Sequence, residues 1–208
     1  MIKQIILATH NSDKQKELEL GFSDLGIEVL TLQNFPEIGE IIENGNTLRD
    51  NALIKARTVF IKTKIPAIGD DTGLSVDSLN GKPGIYSARY SGDNATYSDN
   101  VNKLLHNMQN VNEKERTAQF ITSMAFTDGK MELVSEGSVK GMITREIKGV
   151  GGFGYDPVFY ITEKNKTFAE MSIKEKNQIS HRGRAIKKMC SLLKSNLPGN
   201  FHSKEEVA

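Results

Sequence analysis

The sequence predicts an α/β fold: a mixed β-sheet flanked by helices, built as one two-lobed domain over residues 1–195 with a cleft between the lobes. Three observations carry that expectation. The N-terminal segment reads strand, helix, strand, the opening of a parallel arrangement. The dipeptide Asp128-Gly129, a strong hairpin turn, separates two long β-type runs, which adds an antiparallel part. Helical spacing then returns at the C-terminal end.

In order, Lys3–Thr9 is a short buried strand rich in Ile and Leu. Leu18, Phe22 and Leu25 fall on one helical face, which Gly26 ends, and Ile27–Leu32 is a second strand. Residues 34–46 form a loop rich in acids and glycine. Thr47 caps a helix reaching about Lys64, with Leu48, Ala52, Ala56 and Phe60 on one face, and Pro66 cannot continue it. A strand ends at Asp70, a turn bounded by Gly69 and Gly73 carries Asp70 and Asp71, and Gly73–Leu79 resumes as strand. Residues 80–96 read as a long ordered loop, and Ser98 caps a helix with Val101, Leu104, Leu105 and Met108 inward. Residues 117–127 and 131–139 pair about the hairpin, and Gly141–Ile147 extends that part. Gly149–Pro157 is a glycine-rich loop, Val158–Ile161 a strand, and Ser172 with Glu175 a capping box. The last helix, about Ser180 to Ser195, buries Ile186, Met189 and Leu193, and residues 196–208 read as a frayed tail.

Bulk composition excludes some partners. Lys plus Arg is 27 and Asp plus Glu 26, a net charge of +1, so no global field favours duplex nucleic acid or an anionic membrane. The apolar run after Lys3 is too short for a signal segment or a span, and the single Cys190 suits a reducing cytoplasm.

Five constellations could carry chemistry, each with a plainer reading beside it. Ala8–Lys14 joins a strand end to a helix start. Its amides, Thr9, Asn11 and Lys14 suit an anion, or Asn11 or Ser12 simply caps the helix. Glu37, Glu40 and Glu43 with Asp70-Asp71 suit a hard cation shared with phosphate, or form a solvated acidic surface. Lys55, near the inner helix face, snorkels or reaches into a cleft. Gly149–Gly154 spells a formal G-x-G-x-x-G, but Pro157 and a β-run follow, which rules out the dinucleotide fingerprint. Phe153 in that loop stacks on a planar base or tucks in as an ordinary aromatic. Lys176, His181, Arg182, Arg184, Lys187 and Lys188 concentrate positive charge near one helix start, for a small anion or as a solvated face.

With those residues in view, the chain resembles the inosine triphosphate pyrophosphatase family, which clears non-standard purine nucleotides. The resemblance runs from about Ile2 to Leu193. It rests on Thr9-x-Asn11-x-x-Lys14, on Glu43–Ala56, on Asp70–Gly92, on Gly151–Phe159, and on Ser180–Ala185. It implies an elongated domain with a long mixed sheet, Mg²⁺ dependence, a cytoplasmic homodimer, and cleavage of ITP, dITP or XTP to monophosphate and pyrophosphate. By position it implies a phosphate loop at Thr9, His10, Asn11, Ser12, Asp13 and Lys14, and metal carboxylates at Glu43 and Asp71. Asp71 is also the implied general base, with Asp70 as its catalytic neighbour and Lys55 on the phosphates. Thr72, Phe153, Gly154, Tyr155, Asp156, Lys176, His181 and Arg182 match substrate positions. Adjacent acids are expected to raise each other's proton affinity. His10 stands where many members have Gly, which implies a less compact phosphate loop; Leu48 and Asp50 also depart. Two other readings stand against this one. A septum-inhibitor-like pyrophosphatase favouring modified pyrimidines lacks the Gly151–Phe159 and Ser180–Ala185 blocks, and a nucleotide sensor has little use for Glu43 and the paired aspartates.

Overall fold

The computed structural model describes residues 2–197. Of the expected tail, Asn196 closes the last helix, and 198–208 lie outside the described residues. The strands are β1 (Gln4–Leu7), β2 (Glu28–Thr31), β3 (Ala67–Val76), β4 (Pro83–Gly84), β5 (Thr117–Thr127), β6 (Glu132–Ile143), β7 (Phe159–Ile161) and β8 (Lys166–Thr167). The helices are α1 (Ser12–Phe22), α2 (Leu48–Thr63), α3 (Tyr97–Asn107), α4 (Ile173–Ile179) and α5 (His181–Asn196). The sheet is long and mixed, ordered β2-β1-β3-β5-β6-β7-β8 with β4 on β3. Strand β1 pairs parallel to β2 and β3, whereas β6, β7 and β8 pair antiparallel.

Two compact units divide the chain: residues up to Asp71 with Thr122–Gly137 and Arg182 onward, and Thr72–Ile121 with Ser138–His181. In the first unit, alternation along β1 sorts its side chains onto two faces. Ile5 and Leu7 pack with Leu18 and Phe22 of α1 and Ile186 and Met189 of α5. Ile6 and Ala8 pack with Val59 of α2. Helices α1 and α5 therefore cover one face and α2 the other. Gly26, at φ +65, turns the chain after α1 as its sequence position implied. Thr47 caps α2 by accepting the Asp50 N–H at 3.0 Å.

The second unit has its own core around Leu74, Val101, Leu104, Phe120, Phe159 and Phe168. The cap of α3 is Thr96, not Ser98: Thr96 and Asp99 bond reciprocally, a capping box that starts two residues before the expected cap. Ser172 and Glu175 form the box at α4 as read. Gly141–Ile143 belongs to β6 itself, which runs unbroken from Glu132. Arg116, 1% exposed, donates to the carbonyls of Met108, Ile143 and Thr144 at 2.7–2.8 Å. This planar fork joins the turn after α3 to the end of β6. Arg116→Lys keeps the charge and loses the fork. A stability loss of about 2 kcal/mol in urea unfolding is expected; an unchanged midpoint would mean these carbonyls find other donors.

Candidate active site

The residues singled out in the sequence fall into two groups, one in each unit. The first is organised by β3, and here the structure corrects the sequence reading. Asp70 and Asp71 do not stand in a turn: Ala67–Val76 is one strand of 10 residues, with Thr72 and Gly73 inside it. Gly69 serves close packing instead of a bend. A Cβ there would fall 2.9 Å from Ala56 N and from Lys55 Cβ, and closer still to the Ala52 carbonyl. Its absence lets α2 lie tightly against β3 and brings Lys55 to the acids.

Successive strand side chains point to opposite faces, so the two carboxylates separate. Asp71 faces α2. Its Oδ2 accepts from Asn51 Nδ2 at 3.0 Å, and its Oδ1 lies 3.7 Å from Lys55 Nζ. The same ammonium sits 2.8 Å from Glu43 Oε2. Lys55 is 4% exposed, so it reaches inward and does not snorkel. Glu37 and Glu40 of the acidic loop are exposed.

Asp70 faces α1 and α5. Its Oδ2 accepts from Arg182 Nε at 3.2 Å and lies 3.5 Å from Lys14 Nζ, while Arg182 Nη1 donates to Glu17. Burial pushes the Asp70 carboxyl up, but Lys14, Arg182 and Lys55 outweigh it and hold it well below the usual carboxylate range. The expectation that the neighbouring acid would raise Asp70 is therefore overturned: the acids face apart and the cations dominate. Burial lowers the Lys14 ammonium, with Lys55 and Arg182 adding to that and Asp70 opposing it. For Arg182, Asp70 and Glu17 overcome the burial that would lower it. Asp70 Oδ1 is buried without a hydrogen-bond partner.

The loop before α1 is N-capped by Asn11, whose Oδ1 accepts the Asp13 and Lys14 N–H groups at 3.0 Å each. Thr9, 7% exposed, accepts the Asn11 N–H. Ser12 is exposed, and Asp13 pairs with Lys16. His10 Nε2 donates to the Gly39 carbonyl at 2.7 Å, tying this loop to the acidic one.

The second group gathers around Asp156, whose Oδ2 accepts the Phe153 N–H at 2.9 Å and pairs with Lys176. The Lys176 ammonium sits over the Phe153 ring, 4.6 Å from its centroid. His181, 2% exposed, stacks on Phe120 at 4.5 Å. Tyr155 donates to the Ser87 carbonyl at 2.9 Å, and burial pushes its phenol up. Gly154, at φ +59, has no atom within 4 Å of where a Cβ would stand. Thr72 is half-buried on β3. The basic cluster at α5 does not act as one patch: Arg182 serves Asp70 and Glu17, Lys176 serves Asp156, and Arg184, Lys187 and Lys188 are exposed.

Glu17 and Asn51 were not singled out from sequence. Asn51 stands four residues before Lys55, hence on the same helical face. Glu17 adjoins the buried Leu18, where a carboxylate needs a cation.

As to a metal, Glu43 and Asp71 offer two hard carboxylates converging on one cationic point now held by the Lys55 ammonium. Among the described residues, no group of three or more His, Cys, Asp or Glu gathers to hold an ion. That donor set fits Mg²⁺ completed by water and substrate phosphate, not an all-protein cage.

The profile of the Ham1 family matches residues 5–192. The chain is 44% identical over 200 residues to the dITP/XTP pyrophosphatase of Caldanaerobacter subterraneus subsp. tengcongensis, covering 95% of this chain and 99% of that one. It is 43% identical over 197 residues to the dITP/XTP pyrophosphatase of Salmonella typhimurium, covering 93% and 100%. Among solved structures it is similar to a HAM1 protein from Coxiella burnetii, at TM-score 0.84 and 37% identity over 94% of this chain and 100% of that one. The Staphylococcus aureus Ham1 protein gives 0.82 and 36%, covering 93% and 100%. With a family profile spanning nearly the whole described chain and relatives of matching length, this chain belongs to the Ham1 family.

Proposed function

We propose that the chain hydrolyses non-standard purine nucleoside triphosphates, ITP, dITP and XTP, to the monophosphate and pyrophosphate. The observation that carries the reading is the Glu43–Lys55–Asp71 arrangement, with Asn51 fixing the Asp71 carboxylate. The names of the relatives, dITP/XTP pyrophosphatase, support the same substrates.

In this reading Lys14, Thr9 and Lys55 hold the triphosphate. Asp71 takes a proton from the attacking water as its oxygen bonds to the α-phosphorus. The bond from that phosphorus to the bridging oxygen of the β-phosphate breaks, and pyrophosphate leaves with the electron pair. Glu43 and Asp71 would hold Mg²⁺, which would supply neutralisation of the phosphate charge. Lys55 adds its own charge where the leaving phosphates are held, and Asn51 keeps the base oriented without reorganisation. Asp70 acts through Lys14 and Arg182: it keeps both cations in place and ionised next to the phosphate loop.

The base lies on Phe153. Hypoxanthine and xanthine present an O6 acceptor, which a donor such as that of His181 would meet. Adenine presents a donor instead and would leave a buried donor unpaired, a penalty of about 1–3 kcal/mol. A cytoplasmic homodimer is part of the proposal, and the free thiol of Cys190 suits that compartment.

The test is pyrophosphate release from ITP, dITP, XTP, ATP, GTP and modified pyrimidine triphosphates, with Mg²⁺ and with chelator. Turnover of the three named nucleotides at least about 10-fold above ATP, lost with chelator, is the expected outcome. Release of orthophosphate, or no release from any nucleotide, would overturn the reading.

A further inference from the structure

Tyr97 is the first residue of α3, and its place is fixed from its own helix. Thr96 caps the helix, with Asp99 Oδ2 accepting the Thr96 N–H at 2.9 Å. Asn100, one turn along, donates to the Ala88 carbonyl at 2.9 Å and accepts the Ser91 N–H at 2.7 Å. The Tyr97 ring, 45% exposed, sits with its centroid 5.9 Å from that of Phe153, tilted by 43°. Phe153 is constrained as well: Asp156 holds its N–H and the Lys176 ammonium covers one of its faces.

A planar ligand cannot take the face that Lys176 occupies. It must use the other face or the wedge that the tilted Tyr97 ring opens beside it. Exposure of a large aromatic ring this near another, on a helix start so tightly capped, gives the ring a defined surface at little cost in side-chain entropy. We propose that Tyr97 is a specificity-determining residue, the second aromatic wall of the nucleobase site, and that its ring contributes to affinity for the two-ring purine. This rests on the reading that the chain binds purine nucleotides at Phe153. A wall that contacts the base alone acts on binding, so the effect of Tyr97 belongs to KM and not to kcat.

The experiment compares Tyr97→Ala and Tyr97→Phe with the unmodified chain. It measures kcat and KM for ITP, and the inhibition constant of inorganic tripolyphosphate, which has no base. For Tyr97→Ala the expected result is a KM raised about 10-fold, the scale of one base–aromatic stack, with kcat within about 2-fold. Tyr97→Phe keeps the ring and is expected to keep KM. Tripolyphosphate inhibition should be the same in all three. An unchanged KM in Tyr97→Ala overturns the proposal. So does a matching rise in the tripolyphosphate inhibition constant, which would make Tyr97 a structural support of the whole site. If the unmodified chain itself releases no pyrophosphate from ITP, it is the substrate reading that fails; binding of IMP to the unmodified chain and to Tyr97→Ala then still tests the aromatic wall, and equal affinities would refute it.

Discussion

Asp71→Asn is expected to lower kcat for ITP by about 10³-fold or more while KM changes by no more than a few-fold. The substitution is nearly isosteric. The side-chain amide oxygen can still accept from Asn51 Nδ2, which now holds Asp71 Oδ2 at 3.0 Å, and α2 remains packed on Gly69. The amide cannot take a proton from water, and it is a weaker ligand for a hard cation than the carboxylate that shares Lys55 with Glu43. The triphosphate contacts proposed for Thr9 and Lys14 do not use the Asp71 carboxylate and are expected to survive. Steady-state kinetics on the purified variant, with its thermal midpoint as control, checks this. Turnover near that of the unmodified chain would remove Asp71 from the role of base. A large rise in KM with intact kcat would make it a phosphate- or metal-binding residue only.

Much of the fold was legible because its signals are local. The β1–α1–β2 opening, the Thr47 cap, the Asp128-Gly129 hairpin and the Ser172–Glu175 box each depend on a few neighbouring residues, and each stands in the structure. The acids of β3 were misread for the opposite reason. Gly69 and Gly73 around a pair of charges look like turn chemistry. Only the packing of α2 shows that Gly69 is small to admit a helix backbone, and that the strand runs on. Once β3 is a strand, alternation alone assigns Asp70 and Asp71 to different helices. The partners of Asp70 were not readable: Arg182 is 112 positions from it, and no spacing rule links them. Lys55 lay between two readings on sequence and is decided by burial against Glu43 and Asp71.

The buried pair of Asp70 and Arg182 sets the other large expectation, on stability. Asp70→Asn should destabilise the metal-free chain by about 3 kcal/mol at neutral pH, because it removes the buried carboxylate that compensates two cations, Arg182 at 3.2 Å and Lys14 at 3.5 Å. The pH course follows from the direction of the shift. In the folded chain the Asp70 carboxyl is held below its ordinary value, and in the unfolded chain it returns to about 4. The native state then favours the deprotonated form, so the stabilisation is complete above about pH 5 and is lost as pH falls through the depressed native value. Urea unfolding of both proteins in chelator, from pH 8 to pH 4, should therefore show a constant gap that narrows only at the acid end. A gap that closes between pH 8 and 6 would assign the effect to a group titrating near neutrality. No gap at all would mean that water replaces the carboxylate between Lys14 and Arg182, and that the strand holds Asp70 there for catalysis alone.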